Sequence, residues 1–360
     1  MARWPDFCAT GIGSMPGASI RESVQLVLDE LVDLPHLPEL PARGPGADMV
    51  GRALGLLPDF PADWGPTGWA LADRPGHDTR QANAWLGEDL DVVEELLEGW
   101  TGPFKVQMCG PWTLAASVEL RSGRKVLADA GARRDLVQAY ADGLGAHVGD
   151  VRRRLPAAQL LVQLDEPALG YVLDGEVPTP SGLTRIAAID QEVVLRALAS
   201  ATGAVQAADV AGAVGGVGEA GTGVHCCGGS PPLHLLGQLH ANGGTARPGL
   251  DFASVDLAVL TPRDDDSVGE ALEAGLALML GVPAAQAPGD RSGSAQVDRL
   301  AATVRGLWRR LGLPTDQLAR VVVTPSCGLA GADSPAQVRA ALSACAAVAR
   351  QIRDDPQGPA

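Results

Sequence analysis

Aromatic residues are scarce in this chain, 4% of 360 positions, and positive charge is outnumbered: 28 lysines and arginines face 43 aspartates and glutamates, a formal net charge of −15. A surface that acidic repels phosphate backbones and anionic lipid, and no basic block offsets it, so neither nucleic acid nor a membrane is an expected partner. The arginines at 152–154 read instead as the last turn of a helix, where cations meet the negative end of the backbone dipole. No uninterrupted apolar run reaches the roughly 18 residues of a membrane span, and the N-terminal MARWPDFCATGIG has no apolar signal core, so a cytoplasmic protein is expected. The six cysteines, at 8, 109, 226, 227, 327 and 345, are scattered through a long chain rather than arrayed as a disulfide framework. Free cysteine defaults to a small buried hydrophobe, and Cys8, Cys109 and Cys345 read that way. A dinucleotide fingerprint is missing as well: GIGSMPG at 11–17 has the wrong spacing for G-x-G-x-x-G.

What is present is the material of a full core. Hydrophobic residues make up 46% of the chain and charged residues 20%, and abundant alanine and glycine suit close packing of helices on a sheet. Short apolar runs at 7–13, 31–37, 104–109, 160–165, 221–226, 249–254, 276–281 and 320–325 predict strands. Their continuous apolar character, rather than strict alternation, belongs to strands covered on both faces, as in a parallel sheet. Helical patterns fall between them at 19–30, 87–99, 129–153, 190–201, 231–241, 267–275, 296–311 and 335–352. The last opens with Ser334 as cap and Pro335 in the first turn. Eight strands interleaved with helices predict an α/β fold of the (β/α)8 TIM-barrel type, a single domain over 1–355, with loop insertions at about 35–82 and 203–223.

The reactive-looking groups sit where the apolar runs end: GIGS, QMCG, QLDEP, VHCCGG, GLDF and VTPSCG. In a barrel these are the carboxyl ends of the strands, where active sites are built. His225 and Cys227 form H-x-C at one such end, and Cys327 follows another 100 residues on. One imidazole and two thiolates form a ligand set that favours zinc. Asp251 on the next strand is the candidate fourth ligand, with Asp256 in reserve. Cys226 points away by strand alternation and is a packing residue, while His234 and His240, on the following helix, read as surface or cap groups. A thiolate-rich zinc suits the holding of a substrate thiol as thiolate more than the activation of water.

TGIGSMPG, VQMCGPWTL, VQLDEPALG, VHCCGG and VTPSCGLAG, in that order, resemble the catalytic C-terminal barrel of the cobalamin-independent methionine synthase family, in its short single-barrel form. The resemblance implies a methyltransferase of methionine biosynthesis that moves a methyl group from a methylfolate to the homocysteine thiol. It implies zinc on His225, Cys227 and Cys327; the family's remaining ligand is a glutamate on the next strand, and Asp251 is the nearest acid here. Ile12, Gly13 and Ser14 match the segment that cradles the amino-acid carboxylate, and Asp165 and Glu39 match the groups that hold the ammonium. Independently of the family, an α-amino acid needs donors for its carboxylate and an anion for its ammonium, and these residues supply both. Three local features have a plainer reading too: Gly13–Ser14 as a simple turn, DEP as a strand-end turn with Glu166 solvated, and Trp112 as core rather than a platform for the donor.

The sequence departs from the family after the seventh strand. The family places there a histidine that protonates the departing folate nitrogen, and LMLGVPAAQAPGDRSG at 278–293 has none. A methylcorrinoid protein, whose cobalt leaves without a proton, is therefore an alternative donor. Transfer to another thiol, and a non-catalytic accessory homologue, stand as further alternatives. A decarboxylase of the related uroporphyrinogen type would call for arginines at the strand ends instead.

Overall fold

The computed structural model of the chain describes residues 4–212, 218–243, 249–283 and 293–358. A small antiparallel hairpin, β1 (Ala62–Gly65) and β2 (Gly68–Leu71), precedes one parallel sheet of six strands in sequence order: β3 (Pro103–Cys109), β4 (Gln159–Asp165), β5 (Gly221–Cys226), β6 (Phe252–Asp256), β7 (Ala277–Val282) and β8 (Val322–Pro325). The helices are α1 (Ile20–Glu30), α2 (Met49–Leu56), α3 (His77–Leu96), α4 (Pro111–Ser117), α5 (Ala130–Arg154), α6 (Leu169–Asp174), α7 (Gln191–Gly212), α8 (Leu233–Gly243), α9 (Asp265–Glu273), α10 (Gly293–Leu311) and α11 (Pro335–Asp354). Every residue of β3, β5, β7 and β8 is buried, as strands covered on both faces require.

Two of the eight predicted strands are not regular strands. The segments at 7–13 and 31–37 are interrupted by a turn at Phe7 and a bend at 32–34, and join the sheet only through isolated parallel bridges, Ala9 to Val323 and His36 to Lys105, with Ser14 to Glu39 between the two segments. Backbone hydrogen bonds from Thr10 N to Val323 O (3.1 Å), Leu37 N to Lys105 O (2.9 Å) and Met15 N to Glu39 O (2.8 Å) connect the ends of the six-stranded sheet through these segments, so the architecture is barrel-like. The physical reason is local. Pro35 and Pro38 carry no N–H for a ladder, and glycines at 11 and 13 weaken strand character.

Both predicted insertions also hold more structure than loops. The stretch at 35–82 contains α2, the β1–β2 hairpin and the first turns of α3. In the stretch at 203–223, α7 continues to Gly212 because the alanine-rich TGAVQAADVAG sustains a helix despite its glycines. Arg152 closes the last turn of α5, as expected of the arginine run, but it is also fully buried and donates to Asp209 of α7 (Nε to Oδ1, 2.7 Å). By length and composition α7 is apolar enough over Gln191–Ala211 to cross a bilayer, yet it lies along α5 with Asp209 in that buried ion pair.

The interior of the ring is layered. Cys8, Leu34, Leu161, Phe252, Ala277, Met279 and Val322, capped by Trp4, form a separate apolar cluster at the amino ends of the strands. Phe252 lies over Gly223, where a Cβ would stand 2.2 Å from its ring. Toward the carboxyl ends the buried side chains turn polar, with Thr10, Lys105, Gln107, Gln163, Asp165, His225, Ser254 and Thr324. Strand register carries the same alternation round the sheet: Gln107 pairs with Gln163, Asp165 with His225, and His225 with Ser254.

One packing contact opposes helix propensity outright. A Cβ on Gly143, in α5, would stand 2.4 Å from the Leu56 carbonyl oxygen at the end of α2. Alanine in a helix gains about 1 kcal/mol over glycine, but forcing atoms against immobile backbone costs about 1–3 kcal/mol. Gly143→Ala is expected to lower the urea midpoint without changing the slope of the transition, and a raised midpoint would contradict the tight α2–α5 contact.

Candidate functional site

The carboxyl ends of β5 and β8 bring together the three residues that the sequence singled out as metal ligands. His225 is the fifth residue of β5, Cys227 follows its last residue, and Cys327 lies two residues past β8. Their ligand atoms all lie within 4.8 Å of one another, and the two sulfurs are 3.7 Å apart. Cys226 points the other way, into the core between sheet and helices, as strand alternation predicts. Cys8, Cys109 and Cys345 are buried too.

The electrostatics of the trio fit a cation. His225 is buried; its Nδ1 lies 2.9 Å from the Ser254 hydroxyl on β6, while Nε2 has no hydrogen-bond partner. An orphaned imidazole nitrogen beside two thiols, with the opposite nitrogen tied to a hydroxyl, is the arrangement of a metal-binding histidine and its supporting group. Hydrogen bonding from Cys227 draws the Cys327 thiol down to about 4, and the same contact pushes Cys227 up. One nitrogen and two sulfurs therefore converge on a point with a place open to a further ligand.

Asp251 is not that ligand. It precedes β6, at the opposite end of the sheet: its carboxylate accepts from Thr222 N at 2.8 Å, and its N–H donates to Thr222 O at 2.7 Å. The register sets Ser254, three residues on, beside His225. Asp256 does reach the carboxyl end of β6, where its Oδ1 accepts from Ala258 N at 2.8 Å; among the described residues no carboxylate joins the ligand cluster. The stretch at 284–292, which covers most of the segment lacking the family's histidine, lies outside the described residues. His234 is exposed near Glu270, and His240 contacts the Leu250 carbonyl oxygen, so both serve the surface and a loop.

A cavity of about 310 Å³ opens beside the three ligands. His225, Cys227 and Cys327 form one part of its wall; Ile12, Gly13, Ser14, Glu39 and Asp165 form another, with Pro41, Met49, Pro167 and Gly328 completing it. A larger cleft of about 470 Å³ between α4, α5 and α7 is lined by neither thiol nor carboxylate. The bridge between Ser14 and Glu39 ties the two segments side by side, and Leu329 N donates to Ser14 O at 2.7 Å, fastening the Cys327 loop to them. Gly328 permits that crossing, since a Cβ there would stand 2.0 Å from the Ser14 hydroxyl oxygen.

Two carboxylates face this cavity from buried positions. Glu39 lies 3.5 Å from Arg52, which in turn pairs with Asp89, itself 2.7 Å from Arg43. Asp165 accepts from Gln163 Nε2 at 2.7 Å. Burial, and then the nearby charge of Glu39, hold its carboxyl well above the usual range. Lys105, wholly buried on β3, is lowered by burial to about 8. Its Nζ donates to Ile12 O (2.8 Å) and to Gln163 Oε1 (2.9 Å).

Glu166 is not solvated. It is fully buried, accepts from Trp112 N (2.9 Å), Thr113 N (2.7 Å) and Thr113 Oγ1 (2.7 Å), and so caps α4; burial raises its carboxyl to about 7. Trp112 is only 1% exposed, belongs to the core and does not line the cavity beside the three ligands; it borders the larger cleft instead. Lys105, Gln163, Ser254 and Arg52 are the buried polar groups that sequence reasoning passed over. A signal was there: FKVQMC and LLVQLD each set a charge or amide inside a run that double coverage should keep apolar.

The fold is shared with a protein of known structure. A B12-independent methionine synthase from Shewanella sp. W3-18-1, solved in complex with selenomethionine, aligns over 98% of this chain and 99% of its own, with a TM-score of 0.60 and 13% identity. A xylanase 10C mutant from Cellvibrio japonicus with xylopentaose aligns at a TM-score of 0.44 and 12% identity, over 96% of this chain and 68% of its own. A hyperthermophilic β-glucosidase from Pyrococcus furiosus aligns at 0.43 and 12%, over 99% and 97%. At 13% identity the likeness to the Shewanella protein shows a common fold. No protein-family model and no curated protein matches the sequence.

Proposed function

We propose that this chain is a zinc-dependent S-methyltransferase that forms methionine by methylating the thiol of homocysteine. One observation carries the proposal: a buried imidazole nitrogen without a partner and two thiols 3.7 Å apart share a cavity with two buried carboxylates and a Gly–Ser turn. Such a cavity offers a soft metal at one end and amino-acid recognition at the other. The Shewanella protein of like fold was solved with selenomethionine, an amino acid with the same charged groups and a group-16 atom in its side chain.

His225, Cys227 and Cys327 would hold the metal. Bound zinc would bring a substrate thiol, ordinarily near pKa 8.5, to its thiolate around neutral pH. Everything else falls to the chain. Asp165 and Glu39 receive the substrate ammonium, and Arg52 keeps Glu39 in place from behind. Donors for the substrate carboxylate come from the Ser14 hydroxyl and the backbone N–H groups of the Gly13–Ser14 turn. Met49, Pro41 and Pro167 line the wall with apolar surface and limit water around the sulfur. With no histidine at 278–293 to protonate a departing folate nitrogen, a methylcorrinoid donor is favoured over a methylfolate.

The test uses the zinc-loaded chain. L-homocysteine is expected to bind at least about tenfold more tightly than L-cysteine, whose side chain is one methylene shorter between the thiol and the charged groups; that ratio is about 1.4 kcal/mol. Methionine should form when a methylcorrinoid protein is supplied, and more slowly or not at all with methyltetrahydrofolate. Equal weakness toward all amino-acid thiols, with no turnover from either donor, would remove the proposal.

A further inference from the structure

We infer that Lys105 is the positioning residue for the amino-acid end of the cavity: through the Gln163 amide, its buried ammonium sets both the Asp165 carboxylate and the Ile12–Gly13–Ser14 turn, an assignment that rests on the amino-acid reading proposed above.

Lys105 is one of only two lysines in the chain, and it is wholly buried in the middle of β3. Among the described residues no carboxylate lies within ion-pair distance of it; its partners are two neutral oxygens, Ile12 O and Gln163 Oε1. Burying an ammonium away from a direct counter-charge is costly, so a strand that needed only to be packed would carry an apolar side chain there. Its neighbour across the register is one: Leu161.

What the ammonium supplies is direction. It has three donors and no acceptor, so the oxygen of the Gln163 amide must face it. The amide nitrogen is thereby turned the other way, toward Asp165 Oδ1 at 2.7 Å and Ile12 O at 3.0 Å. Gln163 can then only donate to Asp165, which fixes that carboxyl group as the acceptor. Ile12 O receives both Lys105 and Gln163, and this holds the peptide leading into Gly13 and Ser14. Gly13 is pressed from the other side by Gln107, where a Cβ would stand 2.8 Å from the amide; Gln107 donates to Leu37 O at 2.7 Å. The group proposed for the substrate ammonium and the turn proposed for its carboxylate therefore both hang from one cation. A lysine serves better than an arginine here because a compact ammonium reaches two oxygens without a planar fork to house.

The test compares two thiols by calorimetry on the zinc-loaded, full-length chain. L-homocysteine carries both charged groups, whereas 1-propanethiol carries neither and reports on the metal end alone. Lys105→Met removes the ammonium and keeps an unbranched side chain one atom shorter. It is expected to weaken homocysteine roughly 10- to 100-fold, the scale for groups that orient a ligand-binding residue, while propanethiol affinity and zinc content stay as in the wild type. Should K105M fail to fold, Gln163→Met carries the same test with the lysine in place and the same expected loss. A wild type that prefers homocysteine, with variants that prefer it equally, overturns this inference alone. So does parallel loss of both thiols and zinc, the mark of a merely structural lysine. A wild type that binds homocysteine no better than propanethiol overturns the amino-acid reading and this inference together.

Discussion

Cys327→Ser is expected to strip the chain of its metal while leaving it folded. The wild type should hold about one zinc per chain after dialysis, since three converging donors and an open place make one site. Serine is nearly isosteric with cysteine, but its hydroxyl does not ionise near neutral pH and is a hard donor. In its place only the His225 nitrogen and one sulfur would remain. Metal affinity draws on every deprotonated ligand, and loss of one of three should leave less than roughly a tenth of the zinc at equal free metal. Methyl transfer should fall by at least about a thousandfold, some 4 kcal/mol. Cys327 is an exposed loop residue outside the core, so the melting temperature without metal should be nearly unchanged. Elemental analysis of the two purified proteins decides the matter. Wild-type protein that carries no thiolate-bound zinc, or a serine variant that retains all of it, would end the metal assignment.

Asp165→Asn is expected to give the second largest effect, and one that trades function for stability. The asparagine oxygen can still accept from Gln163, so the local geometry survives and only the charge is lost. Removing one partner of a desolvated charge pair costs about 2–5 kcal/mol, which is roughly 30- to 3,000-fold in homocysteine affinity. Zinc content and propanethiol binding should not move. The stability effect has the opposite sign. Burial and Glu39 raise the Asp165 carboxyl above its unfolded value, so between those two values the folded chain binds more protons than the unfolded one. Stability therefore falls as pH rises through that window, and asparagine, which does not titrate, escapes the loss. Without ligand, the variant should show a higher urea midpoint at neutral pH than the wild type, and the gap should close toward acid pH. A lower midpoint at neutral pH would contradict the strain assigned to that carboxylate. Destabilised charge at a binding site is a common cost of function.

How much was legible in advance depended on the range of the forces involved. The runs at 104–109, 160–165, 221–226, 276–281 and 320–325 are continuous and apolar, and each contains or overlaps a strand of the parallel sheet within a few residues. Ser334 does cap α11, accepting from Gln337 N, with Pro335 in its first turn. These are local signals, carried by neighbours along the chain. The segments at 7–13 and 31–37 read as strands by apolar content, but glycines at 11 and 13 weaken the first and prolines at 35 and 38 deny the second its ladder donors. Glu166 looked like a solvated turn residue because nothing in DEP shows that the first turn of α4, fifty-odd residues earlier, needs a cap.

The chemistry of the candidate site was written in residue types: imidazole and thiols at strand ends, acids and a Gly–Ser turn at others. A one-dimensional string can show that donors of the right softness exist and that each closes an apolar run, because strand propensity and ligand chemistry are properties of single residues and their neighbours. It cannot show which strand ends meet. Asp251 and Ser254 are three residues apart, and only the register of β6 against β5 sets Ser254 on His225 while sending Asp251 to the far end. The same holds for Lys105, whose meaning depends on Ile12 and Gln163, 93 and 58 residues away. Donor identity is covalent and survives unfolding; convergence exists only once the hydrophobic layers have closed and fixed the register.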